Sequence, residues 1–337
     1  MSKGCGFPGD LVRGAEVAIR RFERKVFDGV PISKEDARSV AEVRGPDVFD
    51  LFAAANRIRQ HFRDSTVGLC SIINAKSGAC PEDCSFCAQS SKNSASMRVY
   101  PLIKKETVIE KAMAAVKAGV KRFSVVTSGR KVSGRELSEI AGLISAIRET
   151  GLLPCASLGL LRGEELSVLK DAGLDRYHHN LETSERFFTQ ICSTHAFADK
   201  VETARAATAA GLSLCSGGIF GMGETWQDRI DMAFSLRELG ADSVPINFLI
   251  PIKGTALAHR GLLHPLEALK IISLFRFVLP AKEIRVCGGR TQILGELHSM
   301  IFFAGADGMI TGDYLTTMGR RPEDDLRLIE IYGLKAL

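Results

Sequence analysis

The chain is 337 residues long, 45% hydrophobic and 25% charged, a size that suits one large α/β barrel or two ordinary domains. No apolar run approaches the roughly 20 residues of a membrane span, and the N-terminal segment lacks the apolar core of a secretory signal, so a cytoplasmic location with no membrane partner is expected. The net charge of +5 is scattered, without a Lys/Arg block or basic–aromatic alternation, which argues against nucleic acid as a partner.

Residues 1–65 read as helical. Ser33 stands where an N-cap is needed, just before EDARSVAEV. The run 47–62 (DVFDLFAAANRIRQHF) carries apolar residues at helical spacing. The rhythm then changes. Short β-rich runs at 71–74, 122–127, 153–158, 176–181, 212–220, 243–250, 283–287 and 308–311 are predicted strands. Between them the pattern predicts helices over 105–118, 133–150, 163–172, 198–210, 225–239, 265–277 and 294–303. Several of these stop at a glycine, as at Gly119, Gly151, Gly173, Gly211 and Gly240. Strands alternating with helices argue for parallel βα units. The expected fold is a (β/α)8 TIM-type barrel over 66–337, preceded by an N-terminal helical extension over 1–65. A doubly wound open sheet is the alternative, but no GxGxxG follows the first strand.

Nine cysteines in a cytoplasmic chain do not read as a disulfide framework. An isolated one, such as Cys5 or Cys70, reads as a small buried hydrophobe. The segment 78–88, GACPEDCSFCA, is different. Its Cys-x3-Cys-x2-Cys spacing sets Cys80, Cys84 and Cys87 on one short loop after the first strand. Three thiolates ligate three irons of a cubane and leave the fourth iron open to a ligand from outside the protein. A structural zinc knot needs four ligands, commonly as two pairs, and no partner pair with that spacing exists here.

With Phe86 before the third cysteine, the motif resembles the signature of the radical S-adenosylmethionine (SAM) superfamily. Other segments sharpen the resemblance: GACPEDCSFCAQS at 78–90, YHHNLETS at 177–184, CSGGIFGMGET at 215–225, SVPINFLIPIKGT at 243–255 and AGADGMITGDYLTT at 304–317. Together they resemble the biotin synthase family over roughly residues 71–334. The resemblance implies a 4Fe–4S cluster on Cys80, Cys84 and Cys87, with SAM on its open iron. It implies cleavage of SAM to a 5′-deoxyadenosyl radical and sulfur insertion between C6 and C9 of dethiobiotin. It further implies an electron donor such as flavodoxin or ferredoxin, and a homodimer. Carried residue by residue, Asn180 and Glu182 contact SAM and substrate, and Lys200 sits where an arginine binds the SAM carboxylate. Ser216, Gly217 and Gly218 approach the methionine, Asn247 meets the ureido ring, and Thr316 and Thr317 lie near the substrate carboxylate.

The family's second cluster, a 2Fe–2S, is held by three cysteines and an arginine. By resemblance Cys155, Cys215 and Arg290 keep three of these positions, while Ser124 replaces the strand-two cysteine. Cys287 and Cys192 are extra cysteines in the same neighbourhood. The expectation is a second cluster, either 2Fe–2S or an altered 4Fe type such as a cubane with an extra sulfide, on Cys155, Cys215 and Cys287, with Cys192 a further candidate. Residues three apart face opposite sides of a strand, so Cys287 and Arg290 point inward together only if Gly288 and Gly289 form a bulge. Two other readings stay open: a radical SAM mutase or hydrogenase-cofactor maturase without sulfur insertion, and a non-catalytic iron–sulfur protein.

Overall fold

Among the described residues, three helices precede the first strand: α1 (Gly9–Phe27), α2 (Lys34–Glu42) and α3 (Asp47–Arg63). The computed structural model describes residues 9–337, with side chains from Glu16. The reading of Cys5 and the helical reading of residues 1–8 lie outside them. Ser33 caps α2 as expected. Its Oγ accepts from Asp36 N at 3.1 Å, and Asp36 Oδ2 accepts from Ser33 N at 2.9 Å. This reciprocal pair satisfies donors that a helix start leaves free. The apolar stripe of α3 (Leu51, Phe52, Ala55, Ile58) is buried and packs on α10 (Pro265–Val278). Lys270 on α10 closes the far end of α2, donating to Ala41 O at 2.7 Å and Val43 O at 3.1 Å.

The barrel strands follow in chain order: β1 (Thr66–Lys76), β2 (Arg122–Thr127), β3 (Leu153–Ser157), β4 (Arg176–His178), β5 (Ser213–Cys215), β6 (Gly218–Phe220), β7 (Ser243–Phe248), β8 (Glu283–Val286) and β9 (Gly308–Ile310). All their pairings are parallel, and the sheet closes where β9 returns to β1, with Gly68 opposite Gly308 and Cys70 opposite Ile310. Between them lie α4 (Lys105–Lys117), α5 (Gly134–Glu149), α6 (Gly163–Asp171), α8 (Phe197–Ala209), α9 (Trp226–Glu238) and α10. Their apolar faces cover the barrel, as a parallel sheet requires. The five glycines expected at helix ends all take positive φ.

Several elements differ from the sequence reading: β1 is longer than the expected 71–74, and β4 stops at His178, short of the expected 181. The strand expected over 212–220 is two short strands, β5 and β6, joined by Ser216 and Gly217. There the chain crosses β7 so closely that a Cβ on Gly217 would stand 2.0 Å from Pro245 O. The helix expected over 294–303 is α11 (Arg290–Leu294) followed by a 3₁₀ helix (Gly295–Ile301). The strand expected to reach residue 287 stops at Val286, so Cys287 begins the outgoing turn. The sequence reading missed α7 (Glu185–Phe188), α12 (Pro322–Ile331) and β10 (Lys335–Ala336), which pairs with the start of β1. No helix among the described residues is long and apolar enough to cross a membrane.

Candidate active site

The three closely spaced cysteines sit on the loop that leaves β1 at the C-terminal end of the barrel. The loop is held by its own backbone. Cys80 N donates to Gln89 O at 3.1 Å, Ser91 N to Cys80 O at 2.8 Å and Cys87 N to Cys84 O at 3.0 Å. Asn93 Nδ2 ties the turn from outside, donating to Cys84 O at 3.2 Å and Cys87 O at 2.8 Å. All three thiols are partly exposed, which leaves a path for loading. Burial pushes the Cys84 and Cys87 thiols up from their ordinary pKa.

Inward from this loop lies a cavity of about 430 Å³ at the C-terminal ends of the strands, lined by Cys87, Asn180, Glu182, Lys200, Asn247, Thr316 and Thr317 among others. Seven residues proposed from sequence for three different roles thus face one space. Asn180 Oδ1 accepts from Gly217 N at 3.2 Å, which fixes the amide at the end of β4. Glu182 takes φ +71, a costly conformation for a non-glycine residue. Its Oε2 is enclosed without a partner. Burial raises the Glu182 pKa, and Lys200 opposes the rise. Asn247 is fixed at both ends of its amide: Nδ2 donates to Gly218 O at 3.1 Å and Oδ1 accepts from Gly288 N at 2.9 Å. Thr316 and Thr317 lie on the loop after β9, which Asn74 clasps through Leu315 O at 3.2 Å.

Ser216, Gly217 and Gly218 do not line the cavity. Ser216 is buried and donates to His179 O at 2.7 Å. A Cβ on Gly218 would stand 2.3 Å from Glu182 O. Close approach of one strand to the next, rather than approach of a ligand, accounts for these two glycines.

Deeper in the barrel are the scattered cysteines. Cys155, Cys215 and Cys287 are buried, and Cys70 joins them from β1. Burial, with Cys70 adding to it, pushes the Cys155 thiol up to about 12. Cys215 and Cys287 are also raised by burial, against the pull of Arg285. Arg285 is fully buried. Its Nη2 donates to Glu283 Oε1 at 2.7 Å, while Nε has no partner. Burial disfavours its charge, but Glu283, Cys70, Cys215 and Cys287 hold its pKa well above the ordinary value. Glu283 also accepts from Arg176 at 2.7 Å, so the barrel floor is a buried ion network. Ser124 Oγ stands 3.4 Å from His178 Nδ1. Burial and the nearby arginines keep His178 neutral, with Nε2 unpartnered at the cavity.

Two sequence assignments move. Arg290 is not among the barrel cysteines. It opens α11 after Gly289 (φ +77) and makes a two-bond pair with Asp325, at 3.0 and 2.7 Å. The chain leaves β8 without a bulge, and strand alternation turns Arg285 and Cys287 to the same side. Cys192 lies outside the barrel interior, with its Sγ 3.9 Å from Cys84 Sγ. Cys70, Arg285 and His178 were missed. Alternation from Cys287 would have found Arg285, and the sequence carried no comparable signal for a lone Cys70.

Comparison with known proteins fits this arrangement. Residues 75–236 match the family model of the Radical SAM superfamily, and residues 245–335 match that of the Biotin and Thiamin Synthesis associated domain. A biotin synthase of Thermodesulfovibrio yellowstonii is 54% identical over 288 residues, 86% of this chain and 91% of that protein. The chain belongs to the biotin synthase family. A second member, from Pelobacter propionicus, is 50% identical over 92% of this chain and 95% of that protein. Among solved structures, methylornithine synthase (PylB) superposes with a TM-score of 0.82 at 21% identity, covering 94% of this chain and 97% of that one. At that identity it bears on the barrel alone. Membership carries a 4Fe–4S cluster and SAM as cofactors. The residues present fit both: three thiols on a tied loop, and beside them a cavity whose unpartnered Glu182 Oε2 suits ribose hydroxyls.

Proposed function

We propose that this protein converts dethiobiotin to biotin by radical sulfur insertion. The observation that carries the reading is the single cavity at the barrel mouth. Cys87, Asn180, Glu182, Lys200, Cys215, Cys287 and Arg285 all line it. Cys80, Cys84 and Cys87 are assigned to the SAM cluster. Asn180 and Glu182 orient SAM, with the carboxylate on the ribose and Lys200 on the methionine carboxylate. Asn247 keeps one amide hydrogen and one lone pair for a ureido group. Thr316 and Thr317 offer hydroxyls to the far end of the substrate. No described residue of the N-terminal extension, 1–65, lines the cavity, so we read that extension as a buttress to the barrel over 66–337.

For the sulfur source we propose a second cluster of altered type, cubane rather than 2Fe–2S, held by thiolates from Cys70, Cys155, Cys215 and Cys287 beside Arg285. The support is chemical. Four buried thiols share one neighbourhood with Arg122, Arg176 and Arg285, which outnumber the two acids there, Asp175 and Glu283. Surplus positive charge offsets the cost of burying thiolates. When bound, the cofactors supply one-electron cleavage of SAM to a carbon radical and sulfide to the substrate. The chain's own part is positioning and exclusion. The barrel walls Ile72, Val126 and Ile310 keep water and stray C–H bonds away from the reacting carbons, and close placement substitutes for collision. A flavodoxin or ferredoxin as donor, a homodimer and a cytoplasmic location belong to the same proposal.

The test is an anaerobic assay of reconstituted protein with SAM, a strong reductant and dethiobiotin, measuring 5′-deoxyadenosine, methionine and biotin together. Each new carbon–sulfur bond should use one SAM, so biotin should form with twice its amount of 5′-deoxyadenosine. SAM cleavage without biotin would move the function to a mutase or maturase type of reaction.

A further inference from the structure

Cys192 does not line the cavity, yet it is held against a cysteine that does the protein's central work. The segment 191–194 folds back onto the cysteine loop and is tied to it by backbone and side chain. Ser85 N donates to Ile191 O at 2.8 Å. Asp83 Oδ1 accepts from Ser193 N at 2.9 Å and from Thr194 N at 3.2 Å, and Asp83 N donates to Thr194 Oγ1 at 3.2 Å. These bonds set Cys192 beside Cys84, with the two Sγ atoms 3.9 Å apart. A disulfide holds its sulfurs about 2.05 Å apart, so the pair closes on an approach of about 2 Å. Side-chain rotation can supply that shift, because the backbones beside both cysteines are already in contact through Ser85 and Ile191.

The two sulfurs differ in access. Cys84 is partly exposed, whereas Cys192 is buried. Cys192 Sγ donates to Asp83 Oδ1 at 3.2 Å and lies 3.3 Å from His195 Nδ1, a ring that Glu82 Oε2 holds in place. An oxidant from solution therefore meets Cys84 first, with Cys192 waiting behind it. A reachable cysteine backed by a second thiol is the arrangement of a sensor cysteine and its resolving partner.

We propose that Cys84 and Cys192 form a reversible disulfide when an oxidant of the peroxide class destroys the SAM cluster, and that this bond shields Cys84 from irreversible oxidation. The proposal rests on Cys84 as a ligand of that cluster. A cluster ligand is a thiolate, so loss of the cluster releases Cys84 in its reactive form. The Cys84 thiolate attacks one peroxide oxygen, the O–O bond breaks and hydroxide leaves, giving a sulfenic acid. Cys192 Sγ then attacks Cys84 Sγ. The S–S bond forms, the S–O bond breaks, and the hydroxyl departs with the Cys192 proton as water. The sulfur pair loses two electrons and the peroxide gains them. Without Cys192, the sulfenic acid is open to a second peroxide and the irreversible sulfinic state. Cys84 cannot hold iron and Cys192 together, so reduction of the bond precedes reloading of the loop.

The test uses full-length wild-type protein reconstituted anaerobically and then treated with hydrogen peroxide. Remaining thiols are alkylated in denaturant, and disulfide-linked peptides are mapped by mass spectrometry with fragmentation. We expect Cys84–Cys192 to be the main link of the loop and to disappear on phosphine treatment. Links confined to Cys80, Cys84 and Cys87, with Cys192 recovered as a free thiol, would overturn the pair. In a second arm, Cys192→Ala protein, checked for folding by thermal melting, receives the same peroxide. Residue 84 should then accumulate sulfinic acid that phosphine does not remove, while the wild type regains a free Cys84 thiol. Equal sulfinic acid at residue 84 in both proteins would overturn the shielding. Iron and sulfide counts on Cys84→Ala protein test the ligand assignment by themselves, and the linked peptide is read without the biotin assay, so the two readings fail separately.

Discussion

The cysteine loop after β1 and the cysteines inside the barrel use the same side chain in opposite ways. Cys80, Cys84 and Cys87 lie within eight consecutive residues, are partly exposed, and are shaped by local backbone hydrogen bonds. Cys70, Cys155, Cys215 and Cys287 come from four different parts of the barrel, are fully buried, and are brought together only by closure of the sheet. The first group is a local motif. The second exists only as tertiary structure, in a field of buried arginines. One loop can therefore take up a cluster from solution, whereas the interior group depends on the whole barrel and its charge balance.

The comparison can be broken from either side. The largest effect is expected for Cys80→Ala, which should reduce 5′-deoxyadenosine formation to background while leaving iron in the barrel. Next is a contrast between two arginines. Arg285→Met should keep SAM cleavage but lose biotin formation and second-cluster iron. Arg290→Met instead breaks a fully buried pair with Asp325 and should cost about 3–5 kcal/mol of stability, read by denaturant unfolding. If Arg290→Met loses second-cluster iron while Arg285→Met keeps it, the assignment is reversed. Cys70→Ser should lower iron and sulfide in the barrel by about half or more without touching SAM cleavage, because a hydroxyl is a poorer ligand than a thiolate. The smallest effect concerns Glu182. Its pKa is raised by burial, and hydrogen bonds from ribose hydroxyls need the ionised form. The KM for SAM should therefore rise as pH falls, starting above the ordinary carboxylate range, and Glu182→Gln should remove that dependence at a cost of about 1–3 kcal/mol in binding.

Much of this was legible in the sequence, for identifiable reasons. The alternation of short β-rich runs with amphipathic stretches gave the barrel because each parallel strand needs its own crossover. Ser33 was found because a capping box is local. Asn180, Glu182, Asn247, Thr316 and Thr317 followed from motif resemblance, and all meet at the cavity. The rest was hidden for separate reasons. Cys192 is only fourteen residues beyond His178 of β4, yet its loop folds over Asp83, to which Ser193 N donates at 2.9 Å. Sequence proximity to a strand end said nothing about that fold-back. Arg290 was assigned by resemblance alone, whereas alternation from Cys287 points to Arg285. Cys70 read as a small buried residue, and it is buried on β1; its nearness to Cys155 and Arg285 comes only with the closed barrel.

The most direct test of the two-region account is an iron and acid-labile sulfide count on the Cys80→Ala/Cys84→Ala/Cys87→Ala protein after anaerobic reconstitution. Iron and sulfide retained in cubane proportion, with a cluster spectrum that is lost on adding Cys215→Ala, would be the expected result. A triple variant that folds normally but binds neither iron nor sulfide would contradict it.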